Sequence, residues 1–191
     1  MNPMNHLRTI ALIALCLFAG SASAHTGSHA VIGFASGLTH PLTGLDHLLA
    51  MIAIGLWAAQ QGGRALWAVP AAFVGAMVLG GGLALSGWVL PHVETAIAAS
   101  VLVLGLLIAT RRQWAVPVGM TIAAGFAIFH GYAHGLEMPQ AASPALYAIG
   151  FVLATACLHG VGIAGSLIGR YAMQVAGAAI AASGLAMIFG F

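Results

Sequence analysis

Imidazole and carboxylate side chains are concentrated in two short segments of an otherwise apolar chain. The six residues that offer these groups are His40, Asp46, His47, His130, His134 and Glu137. This mixture of ligands suits Ni, Co, Zn, Cu(II) and Fe, whereas Cu(I) prefers sulfur ligands. Such side chains each cost a few kcal/mol in lipid, so burial of the whole set requires compensation. The pattern predicts a shared metal site, and the alternative is a set of hydrogen bonds among the same side chains.

Other ligand-bearing residues are candidates for metal entry or for a pathway that leads away from the site. They are His25, His29, His92, Glu94 and His159. In the polar segment that contains His25 and His29, an imidazole pair either chelates a metal or is simply exposed. His159 lies deeper in an apolar stretch than the other histidines. It is either a second metal-binding position on the pathway or a structural side chain.

The composition is that of a membrane protein. Charged residues make up only 4% of the chain, and apolar residues make up 61%. A soluble domain carries about 25% charged residues, so most of this surface must face the lipid bilayer. The mean hydropathy of +1.04 agrees. A net charge of +2 with only scattered arginines provides no basic patch for nucleic acid.

Residues 1–24 have the pattern of a cleavable secretory signal peptide. Arg8 supplies the positive charge, residues 9–20 form an apolar core, and Ala22 and Ala24 provide a small-residue cleavage site. The apolar core is shorter than the roughly 20 residues that a membrane span requires. Cleavage would make His25 the new N-terminus, with a free amine beside its imidazole.

Residues 25–191 are predicted to form a single all-α transmembrane domain, a bundle of six helices. The predicted spans are 30–59, 65–86, 93–110, 114–134, 144–167 and 171–190. A straight helix over the first span would extend about 45 Å, against a hydrocarbon core of about 30 Å. This span also contains Pro41, which removes a backbone donor, and Gly44, which weakens a helix. We therefore expect the first helix to be broken near Pro41 and Gly44, inside the protein or beside a water-filled cavity.

Three glycine pairs with a spacing of four residues predict close contacts between helices. The pairs are Gly33 and Gly37, Gly131 and Gly135, and Gly165 and Gly169. Because glycine lacks a Cβ atom, two helix backbones can approach each other closely at such positions. These glycines are interpreted as packing residues rather than as parts of the metal site.

The arginines follow the positive-inside rule. Arg64, Arg111, Arg112 and Arg170 all fall on one side when six spans are counted from an N-terminus outside the cytoplasm. This distribution predicts a location in the bacterial inner membrane, with both termini of the mature protein in the periplasm. The two ligand-bearing segments then lie towards the periplasmic side.

Metal movement through such a protein would not depend on its own ATP hydrolysis, because no GxxxxGK[ST] phosphate-binding motif is present. No ATPase subunit is indicated either. A divalent cation that moves inward gains about 4.6 kcal/mol per 100 mV of membrane potential, twice the single-charge value. Imidazole binds metal only in its neutral form, so uptake is expected to weaken in acid.

The two ligand-bearing segments resemble the signature motifs of the HupE/UreJ family. They read His40-Pro41-Leu42-Thr43-Gly44-Leu45-Asp46-His47 and Phe129-His130-Gly131-Tyr132-Ala133-His134-Gly135-Leu136-Glu137. The resemblance implies a nickel permease, with Co²⁺ as substrate in some members, that serves the maturation of enzymes such as hydrogenase or urease. It also implies that the six ligand residues named first handle the metal, which is a transported substrate and not a permanent cofactor.

Two alternatives use the same ligands. The His-x-x-x-His spacing with nearby acids also suits an intramembrane zinc-dependent hydrolase, although neither an HExxH motif nor a serine nucleophile motif supports an enzyme. A metal sensor that does not transport is compatible with the same residues. We therefore expect a carrier rather than an enzyme, and measured uptake would separate a carrier from a sensor.

Overall fold

The computed structural model describes residues 28–190, and the described part consists of helices and connections without a β-strand. In chain order the helices are α1 (Ser28–Thr39), α2 (Leu45–Gln61), α3 (Ala65–Leu85), α4 (Val93–Thr110), α5 (Val116–Leu136), α6 (Pro144–Gly165) and α7 (Arg170–Phe189). Short 3₁₀ turns, His40–Leu42 and Ser166–Ile168, follow α1 and α6. The predicted all-α class is confirmed. The predicted signal peptide and His25 lie outside the described residues.

Of the described helices, the five from α3 to α7 are long and apolar enough to cross a membrane. A sixth span results if α1 and α2, which are separated by a sharp bend, are counted as one broken span. The helices are apolar on their outer faces as well as inside; on α3, for example, Trp67 and Leu79 are exposed while Phe73 is buried. A helix that is apolar all round lies either in the core of a large protein or in a membrane, and the exposed apolar side chains here favour the membrane. The chain is therefore a multi-pass membrane protein.

The break expected in the first helix is present. α1 ends at Thr39, the 3₁₀ turn contains Pro41, and α2 begins only at Leu45. The two helical pieces meet at an angle of 80°. Gly44 has extended backbone angles just before α2, so the chain changes direction there. Pro41 ends α1 because it cannot donate a backbone hydrogen bond.

Both pieces of the broken helix pack against α6, and glycines make the contacts close. A Cβ atom on Gly37 would collide with the carbonyl of Tyr147, and one on Gly55 would collide with the carbonyl of His159. α1 therefore lies against the first part of α6, and α2 lies against the second part. The broken pair follows α6 along its length in the same direction.

Helices α3 and α5 also cross at glycines. A Cβ atom on Gly131 would collide with the carbonyl of Met77, and one on Gly135 would lie 2.9 Å from the carbonyl of Gly81. This pair therefore makes the close helix contact that its spacing predicts.

The prediction of a close helix contact was wrong for Gly169, which lies in the connection before α7 with φ of 102° and with nothing near its Cβ position. Gly169 serves a turn because its positive φ suits a residue without a Cβ.

We predict that Gly131→Ala destabilises the protein. The new methyl group would overlap the backbone of Met77, which cannot rotate away, and such overpacking costs about 1–3 kcal/mol. Gly125→Ala is the matched control, because Gly125 lies in the same helix with open space at its Cβ position. Thermal unfolding in detergent should show a lower midpoint for Gly131→Ala only, and equal midpoints would contradict the close crossing.

The two ends of the bundle differ in charge. The connections α2–α3 and α4–α5 meet at one end, where Gln61 donates to the carbonyl of Arg112 and accepts from the backbone of Trp114. Arg64 and Arg111 border the same two connections. This end is called the arginine end. The opposite end, where α5 ends and α6 begins, contains Glu137 and His40 and is called the carboxylate end.

Candidate metal site

Four histidine rings form a continuous row that begins at the carboxylate end. The ring centres of His40 and His134 are 4.7 Å apart. Those of His134 and His47 are 4.1 Å apart, and those of His47 and His130 are 4.8 Å apart. The row, called the histidine file below, alternates between the broken α1–α2 segment and α5. Side chains that lie about 90 residues apart in the sequence are thus in direct contact.

The outer end of the file is a group of possible metal ligands. One ligand atom from each of His40, His134 and Glu137 lies within 4.8 Å of the others. Nε2 of His40 lies 2.8 Å from Oε2 of Glu137. Metal–nitrogen bonds of about 2.1 Å allow two ligands on opposite sides of an ion to be about 4.2 Å apart. A small inward movement would therefore let these three groups share one cation, which would replace the bond between His40 and Glu137.

A cavity of about 280 Å³ lies beside this group. Its lining residues are His40, Thr43, Gly44, Asp46, His47, Glu94, His134 and Glu137. Three carboxylates and three imidazoles therefore share one polar cavity. The backbone that is broken at Thr43 and Gly44 borders this cavity, as expected for non-helical backbone at membrane depth.

Exposure is greatest at the outer end of the file and absent at its inner end. The side chain of Glu137 is 53% exposed and that of His40 is 24% exposed. His47 and His134 are buried, and His130 is fully buried at the centre of the bundle. An ion that followed the file would therefore exchange water for protein ligands in steps.

Asp46 folds back on the start of α2. Its Oδ1 accepts from the backbone N–H of His47 at 2.7 Å and lies 2.8 Å from Nδ1 of the same residue. Gly44 makes room for this arrangement, because a Cβ atom there would lie 2.8 Å from Oδ1 of Asp46. The carboxylate is also favourable near the positive N-terminus of the helix. Asp46 therefore orients the ring of His47.

Hydrogen bonds determine which nitrogen of His47 and of His130 is free. Nδ1 of His47 faces a carboxylate oxygen of Asp46, so this nitrogen carries the proton and donates it. The hydroxyl of Ser100 donates to the carbonyl of Ile97 at 2.6 Å, so its oxygen accepts from Nε2 of His130 at 2.8 Å. The lone pairs that bind metals are therefore on Nε2 of His47 and Nδ1 of His130.

These free nitrogens are buried without partners. Nε2 of His47, Nδ1 of His130 and both nitrogens of His134 have no hydrogen-bond partner among the described residues. Nδ1 of His134 is 3.9 Å from Glu137, which is too far for a hydrogen bond. Each unpartnered buried polar group costs about 1–3 kcal/mol. The rings meet edge to face, so hydrogen bonding among them does not account for the cluster, and a bound cation would.

Comparison with known proteins identifies the family. The family model described as HupE / UreJ protein matches residues 13–187. The chain is also 45% identical over 187 residues to Protein HupE of Rhizobium leguminosarum bv. viciae. The aligned region covers 95% of this chain and 97% of that protein. The chain belongs to the HupE/UreJ family. No solved structure matches it.

The structure brings together the six principal candidates of this HupE/UreJ protein, which are His40, Asp46, His47, His130, His134 and Glu137. Glu94 also lines the polar cavity and a neighbouring cavity of about 180 Å³. His92 precedes α4 with φ of 58° and is not among the described lining residues of either cavity. His29 lies in the first turn of α1, and only its backbone is described. His159 lies beyond the inner end of the file.

Three contacts of the site were not predicted from the sequence of this HupE/UreJ protein. Ser100 accepts from His130, Phe151 packs against His134 with tilted rings whose centres are 4.0 Å apart, and Phe73 packs against His130. Ser100 is a single hydroxyl in an apolar stretch, which is a weak signal by itself. Phenylalanine in an apolar helix gives no signal, because every face of the helix is apolar.

Proposed function

We propose that this HupE/UreJ protein is a permease that takes up a divalent transition metal, Ni²⁺ in the first place and Co²⁺ as the alternative substrate. The observation that supports the proposal best is a row of buried imidazole nitrogens that leads inward from a partly exposed carboxylate and has no hydrogen-bond partners in the part of the chain that the structure describes. A purely structural cluster would have no use for such a row. Nickel itself is suggested by the family, since imidazole and carboxylate suit several divalent metals.

In this proposal the carboxylate end captures the ion. Glu137 and His40 are partly exposed, so they meet the hydrated cation first, and His134 completes the group. His47 and His130 then replace further water molecules deeper in the bundle. Several neighbouring sites of moderate strength allow an ion both to enter and to leave.

The proposed orientation places the carboxylate end in the periplasm of the bacterial inner membrane. The arginine end is then cytoplasmic, as the positive-inside rule requires. α1 and α2 together form one broken span, because they follow α6 in the same direction. The mature chain then crosses the membrane six times, with both termini periplasmic, and it supplies metal for a metalloenzyme such as hydrogenase or urease.

The test is uptake of radioactive nickel into proteoliposomes that contain the purified protein. A membrane potential that is negative inside the vesicles should drive nickel accumulation, because each divalent ion gains about 4.6 kcal/mol per 100 mV. Unlabelled cobalt should compete, and an excess of zinc measures selectivity. Nickel that binds to the protein without entering the vesicles would overturn the permease and favour a sensor. Metal-dependent hydrolysis without uptake would favour the hydrolase.

A further inference from the structure

We propose that His159 is an inner transfer site, at which the transported cation binds after it has passed beyond the histidine file. The site is a single imidazole nitrogen, Nε2, on α6 near the centre of the bundle. This inference rests on the proposed permease function and extends it towards the arginine end.

His159 lies on the inner side of the file. On α6, Tyr147 contacts His40 with ring centres 5.9 Å apart, and Phe151 contacts His134 at 4.0 Å. His159 is two helical turns beyond Phe151, a rise of about 12 Å. It is therefore well inside the position at which the outer histidines pack against the same helix.

The ring of His159 is held in the form that binds metals. Nδ1 lies 2.8 Å from the carbonyl oxygen of Met51. A carbonyl only accepts, so Nδ1 carries the proton and Nε2 carries the free lone pair. The residue is only 2% exposed, and Nε2 has no partner in the described part of the chain. Metal-binding histidines commonly have this arrangement, with the second nitrogen bonded to a carbonyl or carboxylate.

Glycines on both helices create this hydrogen bond. Gly55 on α2 faces the carbonyl of His159, and Gly162 on α6 faces the carbonyl of Ile52, each without space for a Cβ atom. The two backbones therefore approach so closely that the short side chain of His159 can donate a hydrogen bond to the carbonyl of Met51. His159 is thus positioned by a rigid helix crossing.

Phe73 separates His159 from the histidine file. Its ring is fully buried, with its centre 5.7 Å from that of His130 and 5.3 Å from that of His159. The ring stands perpendicular to His159 at 89°. An ion that leaves His130 must displace this ring, and the next free nitrogen that it meets belongs to His159.

The other atoms near this level are weak ligands. Thr155, one turn before His159 on α6, lies 3.4 Å from the sulfur of Met51 and 3.8 Å from that of Met77. The carboxylates lie at the opposite end of the file, so His159 provides the strongest ligand here. A site with one imidazole and weak neighbours retains an ion briefly, which favours release towards the arginine end.

The decisive variant is His159→Asn, because the amide nitrogen of asparagine is placed like Nδ1 and keeps the bond to Met51, while Nε2 is lost. When nickel uptake into proteoliposomes is measured, we expect this variant to show a fall of roughly tenfold or more in maximal uptake rate. The nickel concentration for half-maximal uptake should not rise, because the outer ligands are intact. Glu137→Gln should show the contrasting pattern, a raised half-maximal concentration.

His159→Cys, made in the Cys157→Ala background, gives a test that does not depend on loss of function. Thiolate prefers softer metals, so added Cd²⁺ should block nickel uptake by this variant at roughly tenfold lower concentration than in the Cys157→Ala protein. If His159→Asn keeps the wild-type maximal rate, or if cadmium sensitivity is unchanged in the cysteine variant, the inner site is wrong. Absence of uptake by the wild-type protein would instead overturn the permease itself.

Discussion

His134→Phe is expected to abolish nickel uptake while it leaves the folded protein at least as stable as the wild type. His134 contacts both His40 and His47, so it connects the outer ligand group to the deeper file. Neither of its nitrogens has a hydrogen-bond partner among residues 28–190, so their removal breaks no hydrogen bond there. The unfolding free energy should therefore rise by up to about 1–3 kcal/mol, whereas uptake should fall roughly 100-fold or more.

The larger phenylalanine ring can be accommodated. His134 lines the polar cavity and also an apolar cavity of about 310 Å³ between α3, α5 and α6. Its ring already packs against Phe151 at a tilt of 55°, and an aromatic pair would preserve that contact. The substitution therefore removes ligand atoms without leaving an empty space.

Tyr132→Phe is the control for this prediction, because Tyr132 lies two residues away on the same helix but does not face the file. Its hydroxyl donates to the carbonyl of Trp88 at 2.8 Å, and loss of that bond costs about 1 kcal/mol. The control should unfold more readily and still transport nickel. The two measurements are thermal unfolding in detergent and uptake into proteoliposomes, and wild-type uptake by His134→Phe would refute the role of His134.

The ligands of the site were predictable from the sequence because they are rare and expensive in an apolar chain. His130 and His134 are one helical turn apart, so their common face followed from the helical repeat. The break at Pro41 and Gly44 also followed from local backbone chemistry. These inferences required only near neighbours in the sequence.

The contacts between helices were not predictable in the same way. In a helix that is apolar all round, no hydrophobic face indicates which side meets which neighbour. The role of Ser100 depends on the rotation of α4 against α5, and that of Phe73 depends on the position of α3 between two histidines. Gly169 illustrates the same limit, because the spacing of a glycine pair does not reveal that one member lies in a turn.

His130→Gln is expected to reduce nickel uptake about 100-fold. The variant distinguishes a metal-binding role of His130 from a purely structural one. The amide nitrogen of glutamine is placed like Nε2 of histidine, so it can still donate to Ser100 at the centre of the bundle. The nitrogen that is lost is Nδ1, which is buried without a partner in the described helices and belongs to the ring that faces His47. If His130 were only a structural residue, this variant would retain both its stability and its uptake.

Ser100→Ala completes the argument for His130, because it leaves both imidazole nitrogens in place. Without the Ser100 oxygen, which accepts from Nε2 at 2.8 Å, the ring proton can move to Nδ1. Nδ1 then offers its lone pair to a metal only part of the time. Loss of such an orienting partner costs about 10- to 100-fold in metal sites, so uptake should fall less than in His130→Gln. A fall in the glutamine variant with none in Ser100→Ala would mean that His130 binds metal without help from its tautomer. Equal and unimpaired uptake in both would remove His130 from the pathway and end the file at His47.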